Sequence, residues 1–159
     1  MHIRPATPED VPLIFAFIQR KADFDRSVGA FSGELQVNKE KLKRTLFESH
    51  PFAYVLFAEM ELEPVGFALY GFRYSSFAGQ PSLWLDDLYI KPAHRSQGAG
   101  KRLMQHLMQI ARDRNCTHLA WTADARNQRG LAFYDRLGAR IIQRHGYRCF
   151  LQWTPDSLS

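Results

Sequence analysis

The segment with the most chemical content runs from Trp84 to Lys101. It reads Trp84-Leu85-Asp86-Asp87-Leu88-Tyr89-Ile90, then Lys91-Pro92-Ala93-His94, then Arg95-Ser96-Gln97-Gly98-Ala99-Gly100-Lys101. A strand-like run ends at Ile90, a short polar turn follows, and two spaced glycines open a helix. The first turn of a helix carries free amide N–H groups and a partial positive charge. Glycines there let the backbone approach a phosphate closely, and Arg95 adds a guanidinium. The spacing predicts an anion cradle. The competing reading is an ordinary strand–turn–helix joint whose glycines serve packing. It is not a Walker loop, because Arg95 stands at the first glycine position and Arg102 at the final Ser/Thr position. Nor does it fit a dinucleotide fingerprint, whose glycine spacing differs.

Charge is divided along the chain. Residues 1–90 carry 9 Lys/Arg and 12 Asp/Glu, whereas residues 91–159 carry 12 and 4, within a net charge of +5. A basic half suits a polyanionic ligand, either nucleic acid or a phosphorylated cofactor, and an acidic half suits a cation.

The elements that must position these residues alternate. His2 to Ala6 reads as a strand, and Thr7 as the cap of a helix with Pro8 at its first position. Val11, Ile14 and Ile18 form its stripe. Residues 22–36 read as an irregular stretch, and Asn38 caps a helix running to about Ser49. Phe52–Glu59 and Val65–Tyr74 predict a hairpin, and Leu83–Ile90 a third long strand. An amphipathic helix from Gly98 to about Asn115 follows, with Leu103, Leu107 and Ile110 on one face. After a strand at His118–Ala123 comes a helix from Gln128 to Leu137, closed by Gly138. Ala139–His145 and Arg148–Trp153 form a last hairpin across Gly146. This order predicts a mixed α/β sheet rather than a parallel one.

The length of 159 residues suits one domain with one core. No apolar run is long enough to span a bilayer, and the N-terminus lacks the pattern of a signal peptide. Cys116 and Cys149 make neither a disulfide framework nor a zinc pattern, which predicts reduced thiols in a cytoplasmic protein without a metal.

Arg95-Ser96-Gln97-Gly98-Ala99-Gly100 matches the Gln/Arg-x-x-Gly-x-Gly/Ala signature of the GNAT N-acetyltransferases, which the chain resembles over essentially its whole length. His50-Pro51-Phe52, Val65 to Tyr70, Leu85 to Ile90, and Asn127-Gln128 through Tyr134 to Leu137-Gly138-Ala139 look like the spermidine/spermine (diamine) branch. The resemblance implies a single domain over residues 1–159, built as a splayed mixed sheet flanked by helices, and a homodimer. It implies that acetyl-CoA, the acetyl donor, lies in the splay. Leu88, Tyr89 and Ile90 would bind it through the backbone. Arg95, Ser96, Gln97, Gly98, Ala99, Gly100 and Lys101 would wrap the pyrophosphate. Asn127 would touch the pantetheine arm.

Acetyl transfer to an amine needs a neutral amine, a donor for the oxyanion and a proton for the thiolate. An alkylammonium has a pKa near 10. Asp86 stands where the diamine branch carries Glu and is the candidate base, acting through water; an ordinary charged strand residue is the alternative. The backbone N–H of Leu88 suits the oxyanion. Tyr134, which the resemblance places near the sulfur, suits the general acid; a half-buried helix aromatic is the alternative. Phe24, Asp25 and Asp87 are the candidate acceptor-binding residues, matching the acidic amine site that the resemblance implies; for Asp25 a solvated loop charge is the alternative. Ser75-Ser76-Phe77 departs from the acid, proline and tryptophan of the polyamine enzymes, which leaves shorter or amino-acid-like amines open. A protein N-terminus or lysine is the alternative acceptor, and a non-catalytic CoA sensor is the rival of another class. The chain lacks a helix-turn-helix, an aromatic RNA motif and a long Lys/Arg run, which argues against nucleic acid. His94 reads as an exposed turn residue.

Overall fold

The computed structural model describes residues 1–155. Strand β1 (His2–Pro5) leads through a 3₁₀ turn at Pro8–Asp10 into α1 (Val11–Ser27), followed by α2 (Lys39–Phe47). Next come β2 (Tyr54–Met60), β3 (Glu63–Ser75) and β4 (Gln80–Ile90). A second 3₁₀ turn at Pro92–His94 precedes α3 (Ala99–Asp113), β5 (Leu119–Asp124) and α4 (Gln128–Leu137). β6 (Arg140–His145) and β7 (Arg148–Trp153) complete the fold. Cys116 and Cys149 are buried free thiols.

One seven-stranded sheet runs in the order β1-β2-β3-β4-β5-β7-β6. Every neighbouring pair is antiparallel except β4–β5, which is parallel. That pair registers only Leu83 with Leu119 and Trp84 with Ala120. Beyond them β4 continues to Ile90 and β5 to Asp124, so the two strands diverge into a V.

The two faces of the sheet carry separate cores. On one, Leu85, Leu119 and Trp121 pack with Leu103, Met104, Leu107 and Met108 of α3, the buried stripe of that helix. On the other, Phe57, Phe67 and Tyr89 pack with Ile14 and Phe17 of α1 and with Leu42 and Leu46 of α2.

Several boundaries differ from the pattern reading. The stretch expected to be irregular from residue 22 is helical to Ser27. Ala22 is buried there, Phe24 packs on the second core, and Lys21–Asp25 and Asp23–Arg26 pair one turn apart. Gly29, at φ 81°, lies just beyond the helix. Thr7 fronts the 3₁₀ turn rather than α1: its N–H donates to Asp10, which also receives two hydrogen bonds from Arg4. β4 begins at Gln80, three residues earlier than Leu83, because it pairs with the end of β3.

Candidate active site

The turn between β4 and α3 is built for an anion. Ser96 sits at φ 63° and Gly98, the N-cap of α3, at φ 90°. No side chain caps Gly98, and the first backbone bond of the helix is Arg102 N–H to the Gly98 carbonyl, 3.0 Å. The amides of Ala99, Gly100 and Lys101 precede that bond, so none reaches a carbonyl within the helix. A left-handed residue ahead of a helix N-terminus gathers such amides into a concave nest. A non-glycine residue at positive φ costs about 1–3 kcal/mol, so Ser96 concentrates strain at this turn.

The two glycines have different reasons. A Cβ on Gly98 would meet nothing within 4 Å, but its φ demands glycine. A Cβ on Gly100 would stand 3.2 Å from Phe133 Cζ, so this glycine sets the approach of α3 to α4.

Arg95 is partly committed to protein. Its Nε donates to the Ile90 carbonyl at 2.9 Å, and its guanidinium lies 5.2 Å from the Phe24 ring centroid and 5.4 Å from that of Tyr89. The Gln97 amide donates to Ala93 O at 3.3 Å, holding the turn. His94, expected to be exposed, is half-buried on the cleft wall, and its Nδ1 is buried without a hydrogen-bond partner.

A bulge in β4 controls the middle of the site. Leu69 registers with Asp87 and Tyr70 with Leu85, so Asp86 is the extra residue. The slip reverses the alternation. Leu85 and Leu88 both join the α3 face, while Tyr89 joins the α1 face. Past the bulge, Lys91 N–H donates to Val65 O on β3 at 2.8 Å. Alternation along an antiparallel ladder then turns the amides of Leu88 and Ile90 away from β3, toward the V, and that of Tyr89 toward β3.

The carboxylates separate in environment. Asp86 is exposed, with Trp84 Nε1 3.4 Å away. Asp87 faces α1, where Lys21 Nζ lies 4.0 Å from it and 2.5 Å from Asp25. Burial pushes the Asp87 carboxyl up to about 6, opposed by Lys21 and reinforced by Asp86 and Asp25. The ring of Tyr134 packs at 5.0 Å on Trp121 and 5.3 Å on Phe133. Burial, and then the charges of Asp25 and Asp87, raise its phenol above the usual 10. The phenol therefore shares the electrostatic space of the acidic pair and stays protonated at neutral pH.

Asn127 caps α4: its Oδ1 accepts the Gly130 N–H at 3.0 Å. A Cβ on Gly130 would fall 2.4 Å from Asn127 Nδ2, so the glycine makes room for the cap.

These parts converge on one cleft of about 880 Å³. Its walls include Phe24, Asp25, Asp86, Asp87, Leu88, Tyr89, Ile90, Arg95, Ser96, Gly98, Ala99, Gly100, Lys101, Asn127 and Tyr134. Of the residues singled out from the sequence, Gln97 stands apart from the wall. The acidic and basic halves of the chain thus meet across one opening. Pattern reading passed over Lys21, Arg126 and Arg129 on the same walls. Arg129 donates to Ser96 Oγ at 2.9 Å, and Arg126 reaches Gly29 O at 2.8 Å while pairing with Asp124. Each lies in a segment whose periodicity signals a helix or loop and nothing about the opposite wall. Among the described residues no cluster of three or more His, Cys, Asp or Glu could hold a metal, and no helix is long and apolar enough to cross a membrane.

Residues 21–139 match the model of the acetyltransferase (GNAT) family. The thialysine N-epsilon-acetyltransferase of Bos taurus is 30% identical over 157 residues, covering 93% of this chain and 89% of the relative. The spermidine/spermine N(1)-acetyltransferase-like protein 1 of Homo sapiens is 31% identical over 93% of this chain, which matches 22% of that longer protein. The crystal structure of the ribosomal-protein-alanine N-acetyltransferase from Brucella melitensis superposes with a TM-score of 0.73 at 26% identity, covering 97% of this chain and 99% of that one. The V between β4 and β5, the bare amides at its mouth and these likenesses agree: the chain belongs to the GNAT family of acetyltransferase enzymes, in its diamine acetyltransferase-like branch.

Proposed function

We propose that the protein transfers the acetyl group of acetyl-CoA to a primary amine of a small cationic acceptor, by direct attack in a ternary complex. The observation that carries this reading is the cleft itself. Its walls bring together unpaired helix-terminal amides, the carboxylate pair and a protonated phenol. The donor fits the walls, since the nest from Ser96 to Lys101 suits a diphosphate and the outward amides of Leu88 and Ile90 suit the amide-bearing pantetheine arm. Asn127 lines the cleft, and its Nδ2 is left to donate to that arm because its Oδ1 is engaged in the cap.

The acceptor diffuses in as an ammonium, drawn by Asp25, Asp86 and Asp87. It must lose a proton before its nitrogen lone pair attacks the thioester carbonyl. Asp87, with a carboxyl near 6, is matched to take that proton near neutral pH. Asp86, exposed beside it, passes the proton to water. The Leu88 N–H stabilises the oxyanion. As the intermediate collapses, the attacking nitrogen loses its second proton to water and Tyr134 supplies a proton to the departing thiolate, so a neutral amide and free thiol leave and the phenol is reprotonated from solvent. Resemblance supports a homodimer, which light scattering on the purified protein tests, and the two free thiols support a cytoplasmic location.

Incubation with acetyl-CoA and a panel of primary amines is expected to release CoA thiol, and Tyr134→Phe to lose most of that rate. The absence of thiol release with every amine would refute the reading. Equal rates in wild type and Tyr134→Phe would remove the tyrosine from the mechanism.

A further inference from the structure

Lys21 stands on the acceptor side of the cleft, and the reaction above does not use it. It lies four residues before Asp25 on α1. Its Nζ is 2.5 Å from Asp25 Oδ2 and 4.0 Å from Asp87 Oδ1. Its side chain is 22% exposed and lines the cleft. An ammonium of the protein therefore already sits between the two carboxylates that would receive the acceptor's own.

Resting on the proposed acetyl transfer, we infer that Lys21 sets the net charge of the acceptor, filling one cation place in the acidic pocket so that the site prefers an amine of net charge +1, whose second ammonium is balanced by a carboxylate, over a diamine or polyamine. Three carboxylates, Asp25, Asp86 and Asp87, face the acceptor space, and Lys21 cancels one of them. A basic amino acid brings one net positive charge into that field, and a diamine brings two. The second, desolvated beside Lys21, meets like-charge repulsion. The opposite requirement, a partner for the acceptor's carboxylate, is met on the same cleft. Arg148 is exposed at its rim and has no ion pair among the described residues. Arg126 is held by Asp124 and the Gly29 carbonyl.

The test uses L-ornithine and 1,4-diaminobutane, which differ only by the carboxylate, with wild type, Lys21→Met and Lys21→Arg. The readout is the ratio of kcat/KM for the two amines. Wild type is expected to favour ornithine. Lys21→Met keeps most of the stem and removes the charge, and should shift the ratio toward the diamine on the order of tenfold, the scale of one partly screened charge interaction. Lys21→Arg should keep the wild-type preference, which a merely structural role for the side chain would not predict. An unchanged ratio in Lys21→Met, or a wild-type preference for the diamine, overturns the inference.

Calorimetric titration of both amines into each protein with CoA present separates this from the activity. Lys21-dependent preference in binding without turnover supports the inference and rejects the acetyl-transfer reading. Thiol release with other amines, with neither of these two bound by any variant, does the reverse.

Discussion

Replacing the two glycines of the α3 N-terminus by alanine should give unlike results. Gly98 has φ 90°, a conformation that a Cβ makes costly, yet that Cβ would touch nothing within 4 Å. The penalty lies in the backbone and amounts to about 1–2 kcal/mol. In a domain of this size it lowers Tm by roughly 2–8 °C. The added methyl also projects into the open space beside the nest and displaces a diphosphate from at least one amide. A hydrogen bond to a charged group contributes about 1.5–3 kcal/mol, so CoA binding should weaken roughly 10- to 100-fold. In Gly100→Ala the Cβ presses on Phe133 Cζ at 3.2 Å, which a shift of a few tenths of an ångström in the half-buried ring relieves. Alanine also gains about 0.5–1 kcal/mol of helix propensity over glycine, so stability should stay close to wild type. CoA affinity should change by less than about threefold, because the contact points at α4 rather than at open space. Thermal melts and calorimetry with CoA on the two variants decide the matter. If Gly100→Ala loses as much CoA affinity as Gly98→Ala, the division of labour between these glycines is wrong.

The remaining expectations concern pH and caps. With Asp87 near 6, kcat/KM should rise with pH through that value, and Asp87→Asn should lose the limb together with most of the activity; a limb that survives in the variant assigns it elsewhere. The Asp87 carboxyl is raised in the fold, so ionising it above its unfolded value near 3.9 costs stability, and Asp87→Asn should melt no lower than wild type at pH 7 by calorimetry. Asp10 is held low by Arg4, so its stabilisation is complete above about pH 4 and is lost as pH falls through its folded value. Asp10→Asn should therefore flatten the acid limb of a Tm-versus-pH curve, by an amount on the order of 1 kcal/mol at neutral pH. Asn127→Ala removes the α4 cap and should cost about 1 kcal/mol in urea unfolding; an unchanged midpoint counts against the cap.

Much of this architecture could be read without coordinates, for local reasons. Asn38 caps a helix, Gly138 ends one at φ 93°, and the turn after Ile90 opens α3, because each acts through its own backbone within a few residues. The bulge at Asp86 was not legible. Strict alternation assigns faces by counting, and one inserted residue reverses the assignment of Asp87 without changing composition. The length of α1 was hidden because Asp23, Asp25 and Gly29 argue for a loop, whereas burial of Ala22 and packing of Phe24 extend the helix. For Gly100 the sequence leaves cradle and packing both open, and the position of Phe133 on another helix supplies the packing partner. Lys21 and Arg129 gain their significance from opposite walls, a relation that no single segment encodes.

The V at the centre of the sheet has a mechanical side. Two registered rungs, Leu83 with Leu119 and Trp84 with Ala120, and the Thr117 N–H bond to the Pro81 carbonyl form the backbone seam between the β1–β4 and β5–β7 halves. A pantetheine arm laid along Leu88 and Ile90 would act as a surrogate strand, lending partners to amides that the neighbouring β5 does not reach. Substrate would then be part of the building as well as its guest. Slowed deuterium uptake at those two amides on CoA addition, unmatched elsewhere in β4, would be the signature of a sheet that finishes assembling as it goes to work.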